Sequence, residues 1–120
     1  MYNKFGNSIL TNVSFVENIA RQIKFALLDS EKAVLSQEQT VTLSVYGPNN
    51  EAIVSWAAED GLTFEYEEEV SWFYRANFHT RNFELGEGEY RAVVYGMAEE
   101  KLGEIYFIVE TANRNNRGRN

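Results

Sequence analysis

Apolar and polar residues alternate with a period of two through most of the chain. In the longest such run, one face is mainly polar and the other carries five apolar residues: Val70, Trp72, Tyr74, Ala76 and Phe78. Successive side chains of a strand point to opposite faces, so this pattern predicts a half-buried β-strand. Shorter runs predict further strands at 13–18, 23–27, 41–45, 52–57, 62–66, 90–95 and 105–109.

Turn-forming residues separate these runs, at 29–32, 47–50 and 60–61, and a loop is expected at 97–102. The run at 52–57 is richer in apolar residues than the run before it at 41–45, which favours a central strand. The first run leaves an alternative open, because Ser14 and Glu17 also fit the capping box of a short helix. We favour the strand, since Ile23, Phe25 and Leu27 continue the alternation.

Seven or eight short strands separated by turns predict an all-β protein, an antiparallel sandwich or barrel. The chain has 120 residues, enough for one domain. The strand pattern occupies 13–110, with an N-terminal arm at 1–12 and a basic C-terminal tail at 111–120. Cysteine is absent, which excludes a disulfide between the sheets and thiolate chemistry.

One motif precedes the penultimate predicted strand. Leu85, Gly88 and Tyr90 form the pattern L-x-x-G-x-Y. It resembles the tyrosine corner of immunoglobulin and fibronectin type III domains. The resemblance implies an immunoglobulin-like β-sandwich in which the Tyr90 hydroxyl bonds backbone a few residues upstream. It also implies that Gly88 permits a tight approach and that Leu85 fills the core beneath. The missing cysteine pair departs from antibody-type domains.

The charge of the chain is unevenly distributed. The net charge is −7, yet 111–120 contains three arginines and no acid, so the rest of the chain carries −10. An acidic body repels nucleic acid, whereas the tail suits an acidic surface. The N-terminus lacks the apolar run of a signal peptide, and no apolar stretch is long enough to span a membrane. Synthesis in a reducing cytoplasm is therefore expected.

Candidate chemistry is sparse, and we predict no catalytic, cofactor or metal site. The acidic run at 65–69 could provide oxygen ligands for calcium, but it lacks the spacing of a calcium-binding loop. We favour a solvated sheet edge at this position. His79 is the only histidine and has no recognisable nucleophile beside it. Five aromatic residues raise the possibility of sugar stacking: Tyr46, Trp56, Tyr66, Trp72 and Phe73.

These features favour a non-enzymatic structural or assembly protein. We expect an accessory component of a phage particle (a decoration protein, an auxiliary capsid protein, or a tail or fibre adaptor) located in the virion. The arms would contact protein neighbours through Phe5, Ile9 and Leu10 at one end and Arg114, Arg117 and Arg119 at the other. The alternatives are a small acidic inhibitor or regulatory binder of a basic partner protein, which would stay cytoplasmic, and a carbohydrate-binding module.

Overall fold

The computed structural model describes residues 13–16, 21–78, 83 and 85–110. They form two four-stranded antiparallel sheets packed as a sandwich, which confirms the predicted fold class. The first sheet has the order β1-β2-β6-β5 and the second β4-β3-β7-β8. The strands are β1 (Val13–Val16), β2 (Gln22–Leu27), β3 (Thr42–Tyr46), β4 (Ala52–Trp56), β5 (Thr63–Glu67), β6 (Ser71–Asn77), β7 (Gly88–Tyr95) and β8 (Lys101–Val109).

The predicted alternation builds the core between the sheets. On β2, Ile23, Phe25 and Leu27 are buried, and on β3 Leu43 and Val45 are buried. A line of aromatic contacts joins the sheets, with ring centroids 5.8 to 5.9 Å apart: Trp56, Phe78, Phe107 and Tyr90. Burial of these rings supplies the apolar area that holds the sheets together without a disulfide.

The alternation predicts that the apolar positions of the strand runs lie inside, and four of the large ones are buried: Phe78, Tyr90, Val94 and Phe107. The prediction for Trp72 is wrong in degree, because this side chain is only half-buried. Trp72 lies at the start of β6, opposite Tyr66 of the edge strand β5. Tyr66 remains 54% exposed, so this corner of the sandwich is only partly covered.

The predicted central position of the 52–57 run is also wrong, because β4 is an edge strand of the second sheet. Its apolar richness has a local cause. The register shifts between Val45 and Tyr46, whose partners on β4 are Val54 and Ala52. This bulge leaves Ile53 as an extra residue, and both Ile53 and Val54 pack against the core.

The first predicted strand is present as β1, paired with β2, and not as the alternative helix. The loop expected at 97–102 is shorter than predicted, since β8 already begins at Lys101. None of the residues that the structure describes forms a helix long and apolar enough to cross a membrane.

The β3–β4 and β7–β8 turns share one design. In each, the amide of a glycine donates at 2.8 Å to the carbonyl of a glutamate four residues later, Gly47 to Glu51 and Gly96 to Glu100. The glutamate carboxylate then accepts from a backbone amide inside the turn, at 2.9 and 3.0 Å respectively. A Cβ built at Gly96 would lie 2.6 Å from Oε2 of Glu100, so the carboxylate occupies the space that glycine leaves.

Candidate protein-binding face

The outward-facing side chains of the second sheet form an unusual surface. Arg91, Val93 and Tyr95 alternate along β7 with core residues and therefore point away from the core. The same alternation turns Tyr46 of β3 outward, together with three residues of β8. We call this surface the tyrosine face and define it by its members: Tyr46, Arg91, Val93, Tyr95, Glu104, Tyr106 and Ile108.

Two tyrosines meet across the middle of this face. In the strand register, Tyr46 and Tyr95 flank the row that contains Ser44 and Val93. Their hydroxyl oxygens are nevertheless 3.0 Å apart, so the two side chains converge over that row. Beneath them Val93 is fully buried and Ser44 is 6% exposed. The Ser44 hydroxyl is 2.8 Å from the Ser55 hydroxyl on β4, which satisfies its hydrogen bonding.

Arg91 joins the aromatic and charged parts of the tyrosine face. Its guanidinium carbon lies 4.5 Å from the ring centroid of Tyr46, a cation–π distance. Its Nη1 is 3.8 Å from Oε1 of Glu104, and its Nη2 donates to Oδ1 of Asn50 in the β3–β4 turn. A side chain with this many partners keeps one orientation, so the cation is fixed in place.

Glu104 is the acceptor at the centre of the charged part. Lys101 Nζ and the Tyr106 hydroxyl each donate to its carboxylate at 3.0 Å. Burial by itself would raise the pKa of Glu104. The two hydrogen bonds and the charges of Lys101 and Arg91 outweigh burial and lower the pKa below its usual range. The carboxylate therefore stays ionised at neutral pH.

The hydroxyls of Tyr95 and Tyr106 stay protonated well above neutral pH. Burial, followed by the hydrogen bond and charge of Tyr46, raises the pKa of Tyr95 to about 12. The hydrogen bond to Glu104, followed by burial, raises the pKa of Tyr106. At neutral pH both phenols are protonated, and they lie beside one ionised carboxylate and two cations, Arg91 and Lys101.

The outer face of the first sheet differs from the tyrosine face. Among the described residues, its one large aromatic side chain is Phe73, which is fully buried although it points away from the core. Lys24 Nζ lies 5.1 Å from the centre of that ring and 3.9 Å from Glu67 Oε1. Arg75 pairs with Glu65 at 2.8 Å. Lys24 thus lies over the aromatic ring, and the two ion pairs give this face a charged character.

The acidic run at 65–69 is part of that charged surface. Glu65 and Glu67 have basic partners, and Asp60 accepts the Ala57 amide at 3.1 Å in the connection before β5. Among the described residues, no group of three or more histidine, cysteine, aspartate or glutamate side chains is placed to hold a metal ion. His79 lies outside the described residues.

The residues of the tyrosine-corner motif come together. The Tyr90 hydroxyl donates at 2.8 Å to the carbonyl of Gly86, four residues upstream, which is the bond that the resemblance implies. Gly88 has φ of +148°, and a Cβ there would lie 2.6 Å from Cγ of Pro48. Leu85 packs against the core. Gly88 thus permits the close approach of the β3–β4 turn.

The structure separates the other residues singled out from sequence. Of the five aromatic residues considered for sugar stacking, Trp56 and Phe73 are buried, and Tyr46 belongs to the tyrosine face. Tyr66 and Trp72 do meet, with ring centroids 5.2 Å apart. The predicted arm contacts lie outside the described residues: Phe5, Ile9, Leu10, Arg114, Arg117 and Arg119.

Sequence reasoning did not identify the tyrosine face as a unit. The available signal was the alternation itself, because Tyr46, Tyr95 and Tyr106 occupy positions where a solvated sheet face would carry small polar or charged residues. Their convergence depends on β3 and β8 both pairing with β7. The β3–β7 pairing joins segments about fifty residues apart, beyond the reach of a local pattern.

The chain matches no protein family and none of the curated proteins with which it was compared. It is similar to the solved crystal structure of MtrC from Shewanella baltica OS185, with a TM-score of 0.51 and 11% sequence identity. The similarity covers 90% of this chain and 23% of that one. At such an identity the likeness concerns the fold alone, an antiparallel β-sandwich.

Proposed function

We propose that this chain is a non-enzymatic binding and assembly domain that contacts a protein partner through the tyrosine face. The observation that carries the proposal is the convergence of Tyr46, Arg91, Tyr95 and Tyr106 on one outer sheet face. Tyrosine and arginine are enriched at the centres of protein interfaces and dominate their binding energy.

The geometry of the face supports recognition in two further ways. The Tyr46–Tyr95 contact and the partners of Arg91 hold large side chains in one arrangement before any partner arrives, which reduces the entropy lost on binding. The adjacent Ile108, 37% exposed, adds an apolar contact on the same side. A partner would therefore meet a preformed surface with aromatic, donor and charged groups.

Membership of the immunoglobulin-like sandwiches is part of the proposal. The strand order β1-β2-β6-β5 corresponds to A-B-E-D of that fold, and β3-β7-β8 corresponds to C-F-G, with β4 added at the edge. The Tyr90 hydrogen bond lies at the matching corner, at the start of the penultimate strand. Many such domains recognise proteins without catalysis, although the fold does not determine the partner.

Within assembly roles, we propose an accessory component of a phage particle. The absence of cysteine and the acidic body suit a sandwich that is made in a reducing compartment and mounted on protein neighbours. The alternative is a small acidic inhibitor that uses the same face against one basic partner. These two roles differ in the size of the complex that they produce.

The test is the size of the complexes that carry the chain in its native cell. Complexes are separated by size-exclusion chromatography with mass measurement, for wild type, Tyr95→Ala and Arg91→Ala. The matched control is Arg75→Ala, which removes a similar ion pair from the opposite outer face. Circular dichroism checks that each variant is folded.

A particle component should elute with a very large assembly, and an inhibitor with a single partner protein. In both cases Tyr95→Ala and Arg91→Ala should shift the chain towards free monomer, while Arg75→Ala should not. Monomeric wild type, or tyrosine-face variants that still elute with the partner, would overturn the proposed binding face.

A further inference from the structure

A second surface lies at one end of the sandwich, between the β2–β3 connection and the β7–β8 turn. It is an open cleft of about 400 Å³. Its deepest residues, Leu27 and Val41, belong to the core. Three half-buried leucines form the walls: Leu28, Leu35 and Leu102. Exposed polar residues stand at the mouth: Glu38, Gln39, Thr40 and Glu100.

The walls of the cleft are held in place by hydrogen bonds. Asp29 Oδ1 accepts the amides of Glu31 and Ala33 at 2.8 and 2.9 Å, which closes the turn between Leu28 and Val34. On the opposite wall, the Glu100 carboxylate accepts the Ala98 amide at 3.0 Å. The cleft is thus preformed, which lowers the cost of binding.

Met97 stands at the mouth of the cleft and is 80% exposed, more than any other large apolar side chain among the described residues. A methionine here is unfavourable for solubility but suits recognition, because its flexible thioether adapts to different apolar partners. Its position over an apolar floor indicates that the ligand includes a bulky apolar group.

The charge around the mouth indicates which residues would flank the apolar group of that ligand. Glu38 and Glu100 line the cleft, whereas no lysine or arginine of the described residues does. Glu31 and Glu99 lie exposed on the adjoining turns. The nearby cations are Lys32 and Lys101, and Lys101 already pairs with Glu104. A neutral ligand would desolvate carboxylates without compensation, whereas a basic one would pair with them.

We propose that this cleft binds a peptide segment of a partner protein through one bulky apolar side chain flanked by lysine or arginine. The site is separate from the tyrosine face, so this proposal does not depend on the proposed function. Specificity would divide between the leucine walls, which take the apolar side chain, and Glu38, which takes the neighbouring cation.

The experiment selects binders from a displayed library of random peptides against the folded chain, then measures the affinity of the enriched peptides by fluorescence polarisation. Met97→Ser removes the apolar rim, and Glu38→Lys reverses one rim charge without touching the turn caps. Ile108→Ser is the matched control, since it removes a surface apolar side chain from the tyrosine face. Thermal unfolding verifies that each variant folds.

Enriched peptides should carry a bulky apolar residue next to lysine or arginine. Their affinity should fall about tenfold with either cleft variant, as expected for a well-placed interface residue, and stay unchanged with Ile108→Ser. Added salt should weaken binding to wild type, because it screens the rim charges. No enrichment, acidic peptides, or binding that tolerates both cleft variants would overturn the proposal. Binding lost only with Ile108→Ser would place the peptide on the tyrosine face and also overturn it.

Discussion

Each tyrosine side chain of this sandwich combines an apolar ring with a polar hydroxyl, and the hydrogen-bond partner of the hydroxyl differs from one tyrosine to the next. A ring can be buried against its neighbours, but a buried hydroxyl requires a hydrogen-bond partner. Each hydroxyl of the buried or half-buried tyrosines has one, within 2.6 to 3.0 Å: Tyr74 with Gln39, Tyr90 with Gly86, Tyr46 with Tyr95, and Tyr106 with Glu104. These bonds fix ring orientations and make individual side chains testable.

The corner bond gives the first prediction. Tyr90→Phe removes the hydroxyl that donates to the Gly86 carbonyl but keeps the buried ring. We expect the free energy of unfolding to fall by about 0.5 to 1.5 kcal/mol, the net value of one such hydrogen bond. Tyr90→Ala should cost about 3 to 5 kcal/mol, since it also leaves a cavity in the core. Chemical denaturation measures both.

Tyr66→Phe is the control, because Tyr66 is 54% exposed and water can hydrate its hydroxyl. Its effect should stay within about 0.5 kcal/mol, as for most surface substitutions. Equal denaturation midpoints for Tyr90→Phe and wild type would show that the corner bond does not stabilise the fold.

The tyrosine face gives a prediction at alkaline pH. Titration followed by phenolate absorbance should reveal one tyrosine with a pKa of about 12, Tyr95. In Tyr46→Phe the hydrogen bond and charge of Tyr46 are lost, so the Tyr95 pKa should move down towards the ordinary value of 10.0, and burial should retain part of the shift.

The sign of the linked stability follows from the raised pKa. Below pH 10 Tyr95 is protonated in both the folded and the unfolded chain, so its contribution is fully present. Between pH 10 and 12 the unfolded chain loses this proton first, and stability falls as the pH rises. A wild-type titration without a late phenolate, or a Tyr46→Phe titration identical to wild type, would contradict the contact between the two hydroxyls.

At the scale of elements, local periodicity predicts the strands that have one buried and one solvated face. The alternation around Ile23, Leu43 and Tyr90 locates β2, β3 and β7. The same signal misplaces β4, because at the bulge of this edge strand two consecutive residues, Ile53 and Val54, both pack half-buried against the core, and the run therefore resembles that of a central strand. Edge and centre differ in long-range pairing, which short sequence windows do not contain.

The two matched turns give a prediction for loop chemistry. Asn50 and Glu99 occupy equivalent positions, and both have φ of 65°. Asparagine tolerates this left-handed conformation, whereas glutamate is strained in it. Glu99→Gly should therefore raise the free energy of unfolding by about 0.5 to 1 kcal/mol, the strain released less the greater entropy of glycine in the unfolded chain. Differential scanning calorimetry should show a higher melting temperature.

The control is Ala98→Gly, one residue earlier in the same turn. Ala98 does not have a positive φ, so glycine relieves no strain there and only adds freedom to the unfolded chain. A small loss of stability is expected. If Ala98→Gly and Glu99→Gly change the melting temperature alike, backbone strain at Glu99 is not the cause.

At the scale of the molecule, the two outer faces of the sandwich have different characters. The first carries the ion pairs that Lys24 and Arg75 form with glutamates, and the second carries the tyrosine face. The sequence predicts the sandwich and the tyrosine corner because both have local patterns. The tyrosine face comes from three strands, and its members become recognisable as one surface only when the register brings Tyr46, Tyr95 and Tyr106 together.

The most direct test of the central claim is site-specific photo-crosslinking in the native cell. A benzoyl-phenylalanine crosslinker replaces Ile108 on the tyrosine face or, as control, the exposed Asn77 at the outer face of the first sheet. After illumination, mass spectrometry identifies covalent adducts at each position. The account predicts a reproducible protein adduct from position 108 that Arg91→Ala abolishes, and no such adduct from position 77. An adduct from position 77 alone, or none from position 108, would contradict it.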